Sequence, residues 1–236
     1  MREYSISVFF PVYNDEKTIP KLVAEIIPIL NSISKDYEVI LVEDGSPDNS
    51  AEVVDQLTKK YENVRVIHHE KNKGYGGALR SGICNSTKEL IFYTDGDGQY
   101  DVKEIQRLLP LIEKADVVNG YKIKRSDALY RIFFGGLYNL GTRILFNIRL
   151  KDIDCDFRLF RKYVFKDIKL RSDTGVICVE MMKKIQEKRF RIKEVPVHHY
   201  PRLSGTSAFF NFKRIFAVLT MFGILWVKLI LWKDYE

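Results

Sequence analysis

The chain has 236 residues, 46% of them hydrophobic, which is enough for one sizeable core and ordinary for a single α/β domain. Its three cysteines, Cys84, Cys155 and Cys178, are odd in number and form no CxxC pair, which argues against a disulfide framework and suits a reduced, cytosolic environment. The net charge of +7 is divided: residues 1–119 carry 14 Lys+Arg against 20 Asp+Glu (−6), and residues 120–236 carry 24 against 11 (+13), so the second half is directed toward a polyanionic or membrane partner.

In chain order, Met1-Arg2-Glu3-Tyr4 leads without a signal-peptide pattern into a first strand, Ile6–Val12. Thr18 is placed to cap a helix running to about Ile33, with Leu22, Ile26, Ile29, Leu30 and Ile33 on one face and a kink expected at Pro28. A second strand over 37–42 ends in Glu43-Asp44-Gly45-Ser46, and Asp48 or Ser50 starts a helix through Tyr61. A third strand, Val64–His68, is followed by the glycine-rich Asn72-Lys73-Gly74-Tyr75-Gly76-Gly77, expected as a loop opening a helix over 78–86. The fourth strand is Leu90–Thr94; Val102, Ile105, Leu108, Leu109 and Ile112 mark another helix, and Val117-Val118 begins a fifth strand. Strands alternating with helices predict a mostly parallel sheet covered on both faces, with the turns after successive strands gathered at one edge. His198-His199 lie in a strand-like segment and read as structural.

The most informative turn is Asp95-Gly96-Asp97-Gly98-Gln99, where an apolar strand ends in two carboxylates and an amide oxygen. Such hard oxygens at the carboxyl end of a buried strand suit Mg²⁺ or Mn²⁺ bridging to a diphosphate. By itself Asp-Gly-Asp-Gly is equally an ordinary turn. A calcium loop is rejected, because counting from Asp95 the sixth and twelfth positions hold Tyr100 and Gln106 instead of Gly and Glu. A dinucleotide fold is disfavoured: no glycine motif follows the first strand, and Gly74-Tyr75-Gly76 lacks its third glycine, with Leu at 79. No phosphate-binding G-x-x-x-x-G-K-[ST] occurs, and Ser/His/Asp catalysis has no local support.

Four stretches in order resemble inverting family 2 glycosyltransferases of GT-A fold: Pro11-Val12-Tyr13-Asn14-Asp15-Glu16, Val42-Glu43-Asp44-Gly45-Ser46-Pro47-Asp48, Asn72 to Ala78, and Asp95 to Gln99. In the second half, Arg131, Asn139, Asp152-Ile153-Asp154-Cys155-Asp156-Phe157-Arg158 and Arg202-Leu203-Ser204-Gly205-Thr206-Ser207 are similar to the polyprenyl-phosphate, dolichol-phosphate mannosyltransferase-like branch. The resemblance implies that Pro11, Tyr13, Glu16, Asp44 and Asp95 line the nucleotide pocket, with Asp44 on the base. It implies that Asp95, Asp97 and Gln99 hold the metal. Asp152 matches the aspartate near the reacting sugar and with Asp154 is the catalytic candidate; a capping or ion-pair role is its alternative. A lipid phosphate is already anionic and demands no strong base, so Lys122, Arg131, Arg202 and Ser204 are candidates for holding phosphates. The chain departs from the branch at Lys122, often Arg; at Gly135-Gly136, often Ser-Arg; and at Asp156, commonly Gly.

Residues 128–151 contain no acidic residue and carry Arg131, Arg143 and Arg149 among aromatic and aliphatic residues, a composition suited to a headgroup region. Residues 215–227 are thirteen uncharged, apolar positions flanked by Lys213-Arg214 and Lys228, short of the ~20 that span a bilayer. The expected layout is a GT-A catalytic domain over 1–210, with a donor half to about 119 and an acceptor half beyond it, and an apolar membrane-associating helix over 211–236. The implied activity is metal-dependent transfer of a sugar from GDP-mannose or a UDP-sugar to a dolichyl or undecaprenyl phosphate at the cytoplasmic face of a membrane. Alternatives are a glycan, protein or other non-lipid acceptor, and a catalytically silent membrane scaffold; nucleic-acid binding is the least supported.

Overall fold

The computed structural model describes residues 3–123, 129–201 and 220–235, apart from the side chains of 129–131, 133 and 134. Seven strands form one sheet in the order β3-β2-β1-β4-β6-β5-β7. They are β1 (Ile6–Val12), β2 (Tyr37–Glu43), β3 (Val64–His68), β4 (Leu90–Thr94), β5 (Val117–Ile123), β6 (Phe157–Arg161) and β7 (Ile192–His198). All neighbours pair in parallel except at β6, which runs antiparallel to both β4 and β5. The central strand β1 is buried along its whole length, as a strand covered on both faces must be.

Side-chain alternation sends Ile6, Val8, Phe10 and Val12 of β1 into one core and Phe9 into the other. The first core is closed by α1 (Ile19–Ile33), α2 (Ser50–Lys60) and α4 (Ile105–Ile112). The second is closed by α3 (Gly74–Asn85), α6 (Ile177–Glu187) and the end of α5 (Leu129–Phe146). Helix α1 continues through Pro28. Thr18 stands at its N-cap without capping it; the hydroxyl instead donates to the Gly96 carbonyl at 2.7 Å, tying α1 to the acidic turn.

One expectation changes. The helix expected from residue 78 begins at Gly74, with the glycines inside its first turn. A Cβ at Gly74 or Gly76 would lie 2.3 or 2.1 Å from the carbonyl oxygens of Asp173 and Ser172, so these glycines admit the 172–173 backbone. The Gly76 amide donates to that Asp173 carbonyl at 2.9 Å and is not left for a phosphate. The expected mostly parallel sheet is present, with β6 inserted antiparallel between β4 and β5.

Residues 220–226 are helical and pass into a π turn, Val227–Leu231. Leu225 and Leu229 are buried in the second core, Phe222 packs edge-on against Phe146 at 4.8 Å, and the Trp226 indole donates to the Leu145 carbonyl at 2.9 Å. One face of this segment is therefore core, while Ile224, Leu231 and Trp232 stay exposed, as do Leu137, Leu140, Ile144 and Leu145 of α5. Among the described residues no helix is long and apolar enough to cross a membrane.

Candidate active site

The parallel register places the ends of β1, β2 and β3 level, with Val12 beside Glu43 and Glu43 beside His68. The turns after β1, β2, β3 and β4 therefore share one edge, where open α/β sheets bind ligands. Because β6 is antiparallel, its entry segment 152–156 arrives at that same edge, with Phe157 opposite Thr94. The Tyr200 amide donates to the Gln99 carbonyl at 2.8 Å and closes the far side.

The acidic turn is packed tightly against the first one. A Cβ on Gly96 would lie 2.7 Å from the Pro11 carbonyl oxygen, which explains a glycine between the two aspartates. Asp97 is buried and accepts from the Gln99 amide at 3.0 Å. The Gln99 side-chain nitrogen donates to the Tyr200 carbonyl at 3.1 Å, leaving its oxygen directed elsewhere. Asp95 accepts from the Tyr75 hydroxyl at 2.7 Å through Oδ1. Desolvation in this crowded turn, then the charges of Asp156 and Asp97, push its carboxyl well above the usual range, although part of the residue stays open to solvent. A carboxylate so crowded is stabilised by a cation. Among the described residues no three His, Cys, Asp or Glu side chains gather as a cation cage. The two aspartates and one amide instead fit an ion that takes one or two carboxylates and completes its shell with phosphates and water.

Asp44 is buried and held from several sides. Its Oδ1 is 2.6 Å from His69 Nδ1 and accepts from the Lys73 amide at 2.8 Å, while its carbonyl accepts from Asn72 at 2.9 Å. Tyr13 is half-exposed above the turn. Glu16 Oε2 accepts from both the amide and side chain of Asn49 at 3.1 and 3.0 Å, so this oxygen links two turns.

In the acceptor half, Asp152 is committed internally. It accepts from Asn139 and from the Asp154 amide at 3.1 Å each, from the Lys122 amide at 3.2 Å, and stands 3.8 Å from Lys122 Nζ. Lys122 is itself buried against Asp152 and Asp154 and donates to the Asp154 carbonyl. Asp154 is the more open carboxylate, with 47% of its side chain exposed. Its carboxyl is pushed up to about 6 by desolvation first and by Asp156 and Asp152 next, against the pull of Lys122; the exposure moderates that rise. Arg131 falls on α5, but its side chain, with Arg202 and Ser204, lies outside the described residues.

Behind these carboxylates sits Arg158, fully buried. It donates to Asn119 at 2.7 Å, to Asp156 at 3.1 Å, and to the Tyr93 hydroxyl and the Ile153 carbonyl. Asp156 also accepts from Tyr93 at 3.0 Å and Cys178 at 3.2 Å. Tyr75, Tyr93, Cys178 and His69 were not singled out by sequence, since each meets its partner only across the sheet edge.

A seven-stranded, mostly parallel sheet with an inserted antiparallel strand and an acidic turn at its ligand edge defines a GT-A nucleotide-diphospho-sugar transferase fold. Residues 7–169 match the model of glycosyl transferase family 2, and the chain belongs to that family of sugar-transferring enzymes. It is similar to glucosyl-3-phosphoglycerate synthase from Mycobacterium tuberculosis in complex with Mn²⁺, UDP-glucose and phosphoglyceric acid. That likeness has a TM-score of 0.72 at 13% identity and covers 95% of this chain and 79% of that one. It is also similar to residues 1–349 of S. aureus TarS, with a TM-score of 0.57 at 20% identity over 84% of this chain and 60% of that one. At these identities the likeness carries the fold.

Proposed function

We propose that this glycosyltransferase moves a sugar from a nucleotide-sugar to a polyprenyl phosphate at a membrane surface. The observation that carries the donor half is the shared edge that brings Asp44, Tyr13 and the Asp95–Gln99 turn together. Asp44 meets the base, Tyr13 and the Pro11 turn flank the nucleoside, and Asp95 lies beside the ribose and diphosphate. Asp95, Asp97 and Gln99 would hold Mg²⁺ or Mn²⁺, which would supply the charge neutralisation that makes the nucleoside diphosphate a better leaving group. The phosphate oxygen of the acceptor bonds to the anomeric carbon as the bond to the diphosphate breaks, inverting that carbon. Asp154, the more open carboxylate, is assigned to the reacting groups, and Asp152 with Lys122 positions it.

The lipid acceptor is supported by the exposed apolar residues of α5 and the C-terminal segment, which lie among Arg143, Arg149, Lys228 and Lys233. Arg131, Arg202 and Ser204 are assigned to the acceptor phosphate on resemblance. A non-lipid acceptor is the second reading, favoured by the solved relative that holds phosphoglyceric acid. The test is incubation with labelled nucleotide-sugars, Mn²⁺ and short-chain polyprenyl phosphate in vesicles. Label in an organic-extractable, acid-labile product supports the lipid acceptor; turnover that ignores the lipid moves the assignment to the second reading.

A further inference from the structure

Asp44 combines deep burial with an incomplete set of bonds. Its side chain is only 4% exposed, and both bonds to its carboxylate go to the same oxygen, Oδ1. The Lys73 amide can only donate, so the carboxylate is the acceptor and His69 carries its proton on Nδ1. His69 Nε2 then accepts from the Ser81 hydroxyl, 2.8 Å away on α3, which fixes tautomer and ring orientation together. His69 is itself buried, and its amide is anchored to the Glu43 carbonyl at 2.9 Å. Two donors fill the lone-pair directions of Oδ1, while Oδ2 has no partner among the described residues. Oδ2 is not one of the fully enclosed, unpartnered polar atoms among the described residues, so it carries the little exposure Asp44 has and can take a donor from a ligand.

We infer that His69, braced by Ser81, holds Asp44 so that a single carboxylate oxygen faces the base, and that this selects a donor of the uridine class over guanosine. This rests on the proposed contact of Asp44 with the base. Uracil offers one ring N–H, which Oδ2 satisfies. Guanine offers an adjacent N1–H and exocyclic amino group, a pair that needs both carboxylate oxygens. Here its second donor would meet an oxygen already filled, and a polar group left unpaired in a closed pocket is a strong discriminator. His69 is thus a positioning residue acting through Asp44.

The test is equilibrium binding of UDP and of GDP to the full chain in Mn²⁺, for the wild type, His69→Ala and Ser81→Ala. The wild type is expected to bind UDP at least about tenfold more tightly than GDP. His69→Ala releases Oδ1, so UDP affinity should fall about tenfold and the UDP-to-GDP ratio approach one; Ser81→Ala should move the ratio the same way by less. Should His69→Ala not fold, Ser81→Ala carries the test alone. Wild-type binding of GDP as tight as UDP overturns the inference, as does equal weakening of both nucleotides with the ratio kept, the mark of a merely structural histidine. If the wild type binds neither nucleotide, the donor reading itself fails and takes this inference with it.

Discussion

The two halves of the ligand edge treat their carboxylates differently. In the donor half, Asp44 and Asp95 are each held through one oxygen, by His69 and Lys73 of the loop after β3 and by Tyr75 in the first turn of α3, and the other oxygen has no partner among the described residues. In the acceptor half, Asp152 spends both oxygens on Asn139, Asp154 and Lys122, while Asp156 takes Tyr93, Cys178 and the buried Arg158 all through Oδ1, as one partner of an ion pair. The first arrangement is a set of acceptors awaiting a ligand. The second is a polar frame whose carboxylates are charge-paired with Lys122 and Arg158, with Asp154 the most open of them. Buried charges of the second kind must be fully paired, since an unpaired partner costs several kcal/mol.

That contrast predicts where activity and stability separate. Asp97→Ala should lower sugar transfer by more than about a hundredfold while shifting urea stability by under about 1 kcal/mol, because what it removes is charge neutralisation at the diphosphate. A proportionate loss of both would place Asp97 in the frame instead. Arg158→Met should do the reverse, costing about 3–5 kcal/mol in urea unfolding by stranding Asp156 and the Tyr93 hydroxyl. A near-neutral result would show that Asp156 finds other partners.

Acid should weaken the fold at two carboxyls far from the site, at lower pH than that which protonates the raised Asp95. Burial raises the Glu38 carboxyl, but hydrogen bonds from Ser7, Thr87 and Arg65 more than offset it and hold it at about 2. Asp116 is likewise opposed by burial and brought down to about 2 by Arg191 and Tyr163. Both values lie below those of the unfolded chain, so their contribution is full at neutral pH and is lost as pH falls through about 4 toward 2. Each is worth about 2–3 kcal/mol, and Glu38→Gln should flatten that part of the acid unfolding curve. The smallest effect belongs to the exposed apolar face. Ile144→Glu should leave stability within about 0.5 kcal/mol yet reduce co-sedimentation with anionic vesicles; unchanged sedimentation would detach this face from the membrane.

The donor half was the more legible in sequence because each apolar strand there ends abruptly in acids or glycines. The run Leu90–Thr94 before Asp95 and the run before Asp44 need only local pattern to be placed. The acceptor half hides its elements. In β6, Phe157 and Leu159 enter one core and Phe160 the other, but Arg158 and Arg161 interrupt the apolar pattern, and the burial of Arg158 beside Asp156 is completed only by polar groups brought from β4, β5 and α6. Helix α6 buries Glu180 and Lys184, which pair with each other at 3.1 Å, so its inward face reads as polar. The partnership of His69 with Asp44 spans 25 residues and leaves no local signal.

The most direct measurement is calorimetric titration of UDP and GDP into the wild type and Asp97→Ala, each with and without Mn²⁺. The account predicts that the wild type binds at least one nucleoside diphosphate, and that binding strengthens by about tenfold or more with Mn²⁺. It predicts that the ion-dependent gain disappears in Asp97→Ala while the fold persists. Binding that is indifferent to the ion, or a gain kept without Asp97, would contradict the assignment of the acidic turn as the diphosphate site.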